Sequence, residues 1–365
     1  MGREDLMGKI EKRTRQLVIR RAENRAGEHA VQQAAQDSGS GKLMQQQAAQ
    51  DSRSGKLMQQ QAAQNSRPGK PMVQQADQDS ERLEVLQRIR LLEQEGRFDV
   101  DAEEDPPTIP LLPENIDYLR TKPVSRIKSK AAYSAAKLFV HTLIRQKKLV
   151  IRQVFGMEHL NCVKSGAVLT CNHFHPYDCL TVEYLFQHSA QMGKKQLFKV
   201  IREGNYTNFP GFYGLLFRNC NTLPLSQKKE TMCHFLKAVD TILTRGDFIL
   251  IYPEQSMWWN YRKPKPLKNG AYKFAVKNHV PVIPIFIAME DGDRIGEDGF
   301  PVQEYTVFIK EPIYPPLDLA VREQAQVMKE ENAKVWKQIY EEFYGCPLVY
   351  TVSQDDIRDT CENQS

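Results

Sequence analysis

The chain has 365 residues and a formal net charge of +5; 41% of its residues are hydrophobic and 26% are charged. This length accommodates one large domain or two ordinary ones beside a tail, and the composition is typical of a globular protein. The small positive excess does not by itself indicate nucleic-acid binding, and it suits an anionic membrane surface or an acidic substrate equally well. No apolar run is long enough to predict a transmembrane helix.

The first quarter of the chain contains a repeated unit of 14 residues, rich in Gln, Ala and Ser. Three copies occupy 32–45, 46–59 and 60–73, and a decayed fourth copy occupies 74–87. Each copy has Gly, Ser or Pro near its centre and few large apolar side chains, so it buries too little surface to offset chain entropy. We therefore predict a low-complexity, disordered tail over 1–79, with an array of partner-binding helices as the alternative.

Neither the N-terminus nor the cysteines indicate export. The opening residues carry charges but no apolar core, which argues against a secretory signal. The seven cysteines are scattered without a CxxC pair, which favours a reducing compartment and argues against a zinc site. If the protein acts on lipids, we expect it to work at a membrane surface, peripheral to the cytoplasmic face.

A change of pattern follows the repeats. Apolar residues at helical spacing predict a helix that begins at Ser80 and ends at Gly96. An acidic, Pro-rich segment comes next and predicts a domain boundary near residue 110. The predicted organisation is then a helix and linker over 80–110, one domain over 111–350 and a flexible C-terminus over 351–365.

The predicted domain alternates strand-like and helix-like segments. Strands are predicted at 149–155, 167–171, 196–201, 247–252, 280–289 and 304–310. Helices are predicted at 131–146, 181–192, 226–246, 269–278 and 322–344. Strands separated by helix-length segments predict an α/β domain, in which a mixed, largely parallel sheet is covered by helices on both faces.

Chemistry is concentrated after the strand 167–171. Asn172 and His173 fall in a turn, and Pro176 favours the start of a helix whose first turn contains Asp178. The imidazole can then fold back onto the carboxylate, which fixes the tautomer and leaves the other ring nitrogen free as a base. Such a base can activate a hydroxyl toward a thioester. A structural hydrogen bond or a helix cap is the alternative for this pair.

Four segments in order resemble the signature blocks of the glycerolipid acyltransferases, the family of the 1-acylglycerol-3-phosphate acyltransferases. Asn172-His173, four residues and Asp178 resemble the first block. Residues 252–257, Tyr-Pro-Glu-Gln-Ser-Met, are similar to the third block, and 280–285 to the fourth. Between them, 268–271 resemble the Lys-x-Gly-Ala that commonly follows the third block. The resemblance implies transfer of a fatty acyl group from acyl-CoA or acyl-carrier protein to the hydroxyl of a lysophospholipid or glycerolipid.

The resemblance also implies the site residues. His173 and Asp178 are the implied catalytic pair. The implied substrate-binding residues are Asn172, Gln227, Lys228, Glu254, Ser256, Lys268 and Gly270. Glu254 follows a strand, where its carboxylate can bind acceptor hydroxyls or orient a neighbouring cation. Gly270 starts a helix whose free N–H groups can meet a phosphate, although packing is the alternative. No metal or redox cofactor is implied.

Two features of the blocks depart from expectation. Gln227 and Met257 occupy the positions where the family has arginines that grip phosphate, and neither can replace the planar guanidinium fork. Other basic residues are candidates for the lost charge: Arg218, Lys228, Lys229 and Arg262. Pro281 and Pro284 disfavour a central strand, so we expect them where the backbone enters the sheet, either packing or shaping a pocket wall.

The missing arginines keep other functions open. The aromatic residues Trp258, Trp259 and Tyr261 suit a bulkier or less charged head group, an interfacial anchor or simple packing. The acceptor is then an amino lipid, a polyol or a sugar lipid; alternatively, the protein is a non-catalytic lipid- or acyl-binding module on the same fold. Membrane docking is expected through 131–146 and Phe209–Phe217. Nucleic-acid binding is not expected, because the basic N-terminal region lacks a recognised module.

Overall fold

The computed structural model of the protein describes residues 72–103 and 108–351. From Met72 onward the chain forms one compact unit. The repeats up to residue 71 and the predicted flexible end from residue 352 lie outside the described residues.

The described residues form one seven-stranded sheet. Its strands are β1 (Val150–Phe155), β2 (Ala167–Cys171), β3 (Leu197–Ile201), β4 (Thr222–Pro224), β5 (Phe248–Ile251), β6 (Val282–Ile295) and β7 (Pro301–Ile309). They lie in the order β1-β7-β6-β2-β5-β3-β4. Every neighbouring pair is parallel except β6 and β7, which are antiparallel. The predicted α/β class with a mixed, largely parallel sheet is therefore confirmed; the short β4 was not predicted.

Helices occupy most of the connections between strands. They are α1 (Met72–Gln94), α2 (Pro123–Arg145), α3 (Met157–Asn161), α4 (Asp178–Gln187), α5 (Glu203–Thr207), α6 (Gly211–Asn219), α7 (Lys229–Thr244), α8 (Gly270–Lys277) and α9 (Val321–Tyr344), with a 3-10 turn at Pro113–Asn115. The three short helices α3, α5 and α6 were not predicted. No helix in the described part of the chain combines the length and apolar character that a membrane span needs.

The sheet is buried on both faces, as its apolar strands require. Every residue of β2 is buried, and its neighbours Val168 and Leu169 point to opposite sides. Leu169 joins a core cluster with residues of α2 and α4, whereas Val168 joins a cluster with residues of α7, α8 and α9. This burial holds the carboxyl ends of the strands rigidly, and the loops that follow β2 and β5 inherit that rigidity.

Pro284 corrects one expectation, because it lies inside the central strand β6 rather than at its entrance. It pairs in register with Thr170 of β2, while its carbonyl accepts a hydrogen bond from the Lys310 N–H. The N–H and C=O of a strand residue point to the same neighbour, so the missing N–H of Pro284 faces the β7 side. Since β7 ends at Ile309, the missing N–H affects only the pair of Pro284 and Lys310 at the end of the ladder. Pro281 does precede the strand, as expected.

Helix α1 and residues 98–102 after it pack onto the domain. Val85, Ile89 and Leu92 of α1 share a buried cluster with Trp258 and Trp259. Residues on either side of position 110 thus belong to one unit, which corrects the expected linker and boundary. The helix begins at Met72, earlier than the predicted Ser80.

Candidate active site

The loop after β2 carries the predicted pair in direct contact. His173 Nδ1 lies 2.7 Å from Asp178 Oδ2. Helix α4 begins at Asp178 itself, two residues after the predicted start at Pro176. The start is delayed because the carboxylate accepts hydrogen bonds from the backbone N–H groups of Phe174 and His175, at 3.2 and 3.4 Å, and so closes the preceding turn.

The two members of the pair differ in their exposure to solvent. The Asp178 side chain is 0% exposed, whereas 24% of the His173 side chain is exposed. A buried aspartate that accepts several hydrogen bonds favours the tautomer in which Nδ1 carries the proton. Within the described residues, His173 Nε2 has no hydrogen-bond partner, so the imidazole presents a free nitrogen lone pair at a solvent-accessible position.

Tyr252 completes this arrangement, although no role was predicted for it. Its hydroxyl donates a hydrogen bond of 2.7 Å to Asp178 Oδ1. Its ring stacks on the His173 imidazole, with 4.1 Å between the ring centroids. Burial raises the pKa of Tyr252 well above its usual value, so the hydroxyl stays a donor. The only sequence signal was its place directly before Pro253 in the third block.

A buried ion pair supports the same loop from below. Glu254 accepts hydrogen bonds from the backbone N–H groups of His173 (3.0 Å) and Lys265 (2.8 Å). The Lys265 ammonium lies 3.4 Å from Glu254 Oε2 and donates to the Ser256 carbonyl at 2.8 Å. Burial raises the pKa of Glu254 and lowers that of Lys265, while the attraction between their charges opposes both changes. Lys265 was missed because nothing in its sequence neighbourhood, between two prolines, marks it as buried.

Three predicted substrate-binding residues have internal partners. The Asn172 amide exchanges hydrogen bonds with the backbone of Ile287, at 2.8 and 3.0 Å. Ser256 Oγ donates to the Phe98 carbonyl at 2.5 Å. Together with Glu254, these side chains are buried. These contacts support the loop from inside the protein, and for Glu254 they agree with the alternative of orienting a cation. Direct contact of the three residues with substrate stays a prediction.

The remaining predicted residues lie away from the pair. Gln227 and Lys228 are exposed beyond β4, which is separated from β2 by two strands. Lys268 is exposed and lies 3.1 Å from Asp99. Gly270 begins α8 as predicted, with open space around its Cα. Their contact with substrate stays a prediction.

The positions of the missing arginines are filled without a guanidinium. The backbone N–H of Met257 donates to Asp101 at 2.8 Å. Arg202, which follows β3 and was not predicted, forms an ion pair with the same Asp101 and donates to the Gln255 carbonyl at 3.0 Å. Arg262 pairs with Asp291 at 2.8 Å. Of the candidates for the lost charge, Arg218 is considered below because it lines a cavity.

The aromatic residues after the third block have a packing role. Trp258 and Trp259 are buried under α1. Trp258 Nε1 donates to the Val100 carbonyl at 2.7 Å, and Tyr261 packs edge-on against the same indole. These rings are therefore not exposed for an interfacial anchor.

The cysteines near the pair are not alternative nucleophiles. All six cysteines in the described part of the chain are free thiols. Burial raises the pKa of Cys179 to about 12 and that of Cys171 well above its usual value. Neither thiol supplies a thiolate nucleophile at neutral pH. Among the described residues, no group of three His, Cys, Asp or Glu side chains is arranged to hold a metal ion; that no cofactor is needed stays a prediction.

The fold and the histidine–aspartate pair define an α/β protein whose partly exposed histidine lies at the carboxyl end of a central strand, where such sheets place their ligands. The acyltransferase family matches residues 119–288, which include every predicted catalytic and substrate-binding residue. This match over residues 119–288 confirms the recognition from the sequence blocks.

Individual relatives are more distant. No curated protein matches the chain. Among solved structures, the chain is similar to the 1-acyl-sn-glycerophosphate (LPA) acyltransferase PlsC from Thermotoga maritima, with 19% sequence identity and a TM-score of 0.38. That match covers 62% of this chain and 82% of the other.

Proposed function

We propose that the protein transfers a fatty acyl group from acyl-CoA or acyl-carrier protein to the hydroxyl of a lysophospholipid or glycerolipid, with His173 as general base. The match of residues 119–288 to the acyltransferase family supports acyl transfer. The observation that carries the proposal is the partly exposed imidazole whose Nδ1 is held by a fully buried carboxylate. This combination leaves one nitrogen for the substrate and fixes the other.

The reaction follows from this geometry. His173 Nε2 takes the proton of the acceptor hydroxyl, and the hydroxyl oxygen attacks the thioester carbonyl carbon. The tetrahedral intermediate collapses by breaking the carbon–sulfur bond, and the departing thiolate takes the proton back from Nε2. Asp178 stabilises the transient imidazolium and keeps the ring in place. The products are an ester and a free thiol, and no covalent acyl-enzyme is required.

The support beneath the pair keeps the ring oriented through both proton transfers. Tyr252 holds the second oxygen of Asp178, and Glu254 holds the backbone of His173. Both contacts are buried, where hydrogen bonds to charged groups are strongest. A base held in this way needs little reorganisation when the substrate binds.

Membrane association is part of the proposal, and it rests on exposed apolar residues of α2 and α6. The exposed side chains are Val124, Ile127, Leu138, Phe212, Tyr213 and Leu215. Phe139 packs edge-on against Phe212 and Tyr213, so the two helices hold this surface together. An apolar surface of this kind, flanked by lysines, suits peripheral docking at a lipid interface. We place the protein at the cytoplasmic face of a membrane.

The test is thiol release from acyl-CoA and from acyl-carrier protein with a panel of lysophospholipid, glycerolipid, amino-lipid and sugar-lipid acceptors. We expect acceptor-dependent release that His173→Ala abolishes. His234→Ala is the matched control, because His234 is exposed on α7 at the other face of the sheet. If every acceptor fails with both thioesters while lipid still binds, the non-catalytic binding module replaces the enzyme.

A further inference from the structure

A second concave site lies beside the edge strand β4. A cavity of about 660 Å³ is lined by the turn before α2, the first half of α2 and the second half of α6; we call it the α2–α6 cavity. This volume is in the range of small-molecule binding sites, roughly 300–1,000 Å³. Its walls combine aliphatic surface from Ala132, Ala135 and Leu215 with a polar rim. None of the residues assigned above to the reaction lines it.

The cavity carries an excess of positive charge. Four of the lining side chains are basic, namely Arg120, Lys122, Lys128 and Arg218, against two acidic ones, Glu114 and Asp117. Asp117 is already occupied, since it accepts hydrogen bonds from the backbone N–H groups of Thr121 and Lys122, both at 2.9 Å. Its carboxylate shapes the turn before α2 and is not aligned to neutralise the arginines.

Arg120 is the unusual member of this set. Only 9% of it is exposed, and its Nε has no hydrogen-bond partner. Its Nη2 donates to the Arg218 carbonyl at 3.0 Å, and Arg218 Nη1 donates to the carbonyls of Phe209 and Tyr206 at 3.1 and 3.3 Å. Within the described residues, neither arginine forms an ion pair with a carboxylate. A buried guanidinium without a counter-charge is costly unless an anion joins it.

The backbone at Arg120 adds to this cost. Its φ angle is +54°, a left-handed conformation that residues other than glycine adopt at an expense of roughly 1–2 kcal/mol. Such strain persists where the surroundings hold a side chain in a required place. Here it turns the guanidinium toward the cavity wall shared with Arg218.

The position of the cavity restricts which anion it takes. Tyr118 donates to the carbonyl of Pro224, the last residue of β4, at 2.9 Å, which fixes the preceding turn beside that strand. Two strands, β5 and β3, separate β4 from β2, so the strand beside the cavity lies about 14 Å from the strand that precedes His173. The phosphate of a simple lysophospholipid is only a few bonds from the hydroxyl that reacts, so it does not reach this far. The phosphates of CoA are separated from the thioester by the long pantetheine arm.

We infer that the α2–α6 cavity binds organic phosphate, and that its ligand in the reaction is the nucleotide end of the acyl-CoA donor. Arg120 and Arg218 contact the phosphate oxygens, Lys128 adds long-range attraction, and the aliphatic wall accommodates the rest of the nucleotide. This inference rests on the proposed function, and it selects CoA over a carrier protein as the donor.

The experiment measures binding of CoA to the full chain carrying His173→Ala, which binds without turning over. Dephospho-CoA, pantetheine and inorganic phosphate are compared by titration calorimetry. We expect CoA to bind more tightly than dephospho-CoA, pantetheine to bind weakly, and phosphate to compete. Arg120→Gln should weaken CoA about tenfold or more, because a hydrogen bond to a charged group is lost. Lys128→Gln should weaken it severalfold.

Two controls keep the result interpretable. Lys334→Gln removes an equally exposed charge on α9, away from the cavity, and should leave CoA binding unchanged. Lys128→Gln alters only an exposed side chain, so it decides the matter if Arg120→Gln does not fold. A parallel arm measures sedimentation with vesicles that contain a lysophosphatidate.

The outcomes separate cleanly. Weaker CoA binding with unchanged vesicle binding supports the inference. Weaker vesicle binding alone assigns the cavity to a lipid phosphate and overturns the nucleotide assignment. No change in either overturns the site, even if acyl transfer by the wild type is intact. Conversely, if the cavity binds CoA but the wild-type protein has no transferase activity, the proposed reaction is wrong and the binding site is still supported.

Discussion

The loop after β2 and the α2–α6 cavity treat buried charge in opposite ways. In the loop, Asp178 accepts hydrogen bonds from four donors, and Glu254 is matched by Lys265. In the cavity, Arg120 is nearly as buried, yet its Nε has no partner. The difference separates two tasks. Under the two proposals, the groups that must stay fixed through proton transfer have partners inside the protein, whereas the arginines that bind an anionic ligand gain their partner from the ligand.

The largest expected effect comes from breaking the match at the pair itself. Asp178→Asn removes the charge that stabilises the imidazolium and favours the wrong tautomer, so kcat should fall by about 10³- to 10⁴-fold with the fold retained. Steady-state thiol release measures kcat, and circular dichroism measures the fold. Asp99→Asn is the control, because Asp99 is an exposed partner of Lys268 outside the loop. A variant with near-normal kcat would reduce Asp178 to a helix cap.

A second prediction removes the partner of a buried charge in the loop, so that this charge is unpaired like Arg120 in the cavity. Lys265→Met strands Glu254 in the interior, and the free energy of unfolding should fall by about 3–5 kcal/mol. Combining it with Glu254→Gln should recover part of this loss, because no unpaired charge then remains. Denaturant unfolding measures both variants. Lys268→Met, at an exposed ion pair, should change stability by about 1 kcal/mol or less. If the losses in unfolding free energy from Lys265→Met and Glu254→Gln simply add in the double variant, the two charges are not coupled and the prediction is wrong.

The smallest expected effect is on the pH dependence of stability, and it concerns His175 in the loop after β2. Burial lowers the pKa of His175 from 6.5 to about 4, and its Nδ1 accepts a hydrogen bond from the Tyr177 N–H at 3.1 Å. Between pH 6.5 and pH 4, His175 binds a proton in the unfolded chain but stays neutral in the folded protein. The free energy of unfolding should therefore fall as the pH is lowered through this range. His175→Gln should flatten that part of the curve. Thermal melts across the range test this, and an unchanged slope in the variant would refute it.

Sequence patterns were sufficient to predict the sheet and the contact between His173 and Asp178. Six of the seven strands coincide with predicted segments, because strands buried on both faces are continuous apolar runs. His173 and Asp178 were found because both lie within one short loop, where chain connectivity alone brings the side chains together. The short β4 and the helices α5 and α6 were missed, since segments this brief carry little periodicity.

Contacts between distant segments could not be read from the chain. Tyr252, which follows β5, reaches Asp178, which follows the neighbouring strand β2. Lys265 is buried only through the packing of the long loop after β5 against Glu254. Pro284 misled for a related reason: whether a missing N–H matters depends on where the neighbouring strand ends. The α2–α6 cavity is a further case, because its arginines come from two helical regions with no shared motif.

The position of α1 has a practical consequence for handling this protein. The acidic segment near residue 110 invites a cut that keeps only the predicted domain. Such a shortened chain would lose the cover over Trp258 and Trp259 and the three hydrogen bonds that residues 98–101 make to the loop carrying the third block. Two exposed indole rings beside a less ordered loop favour self-association. Precipitation of that fragment would therefore result from the loss of α1, and it would not test the roles proposed for His173 and Asp178.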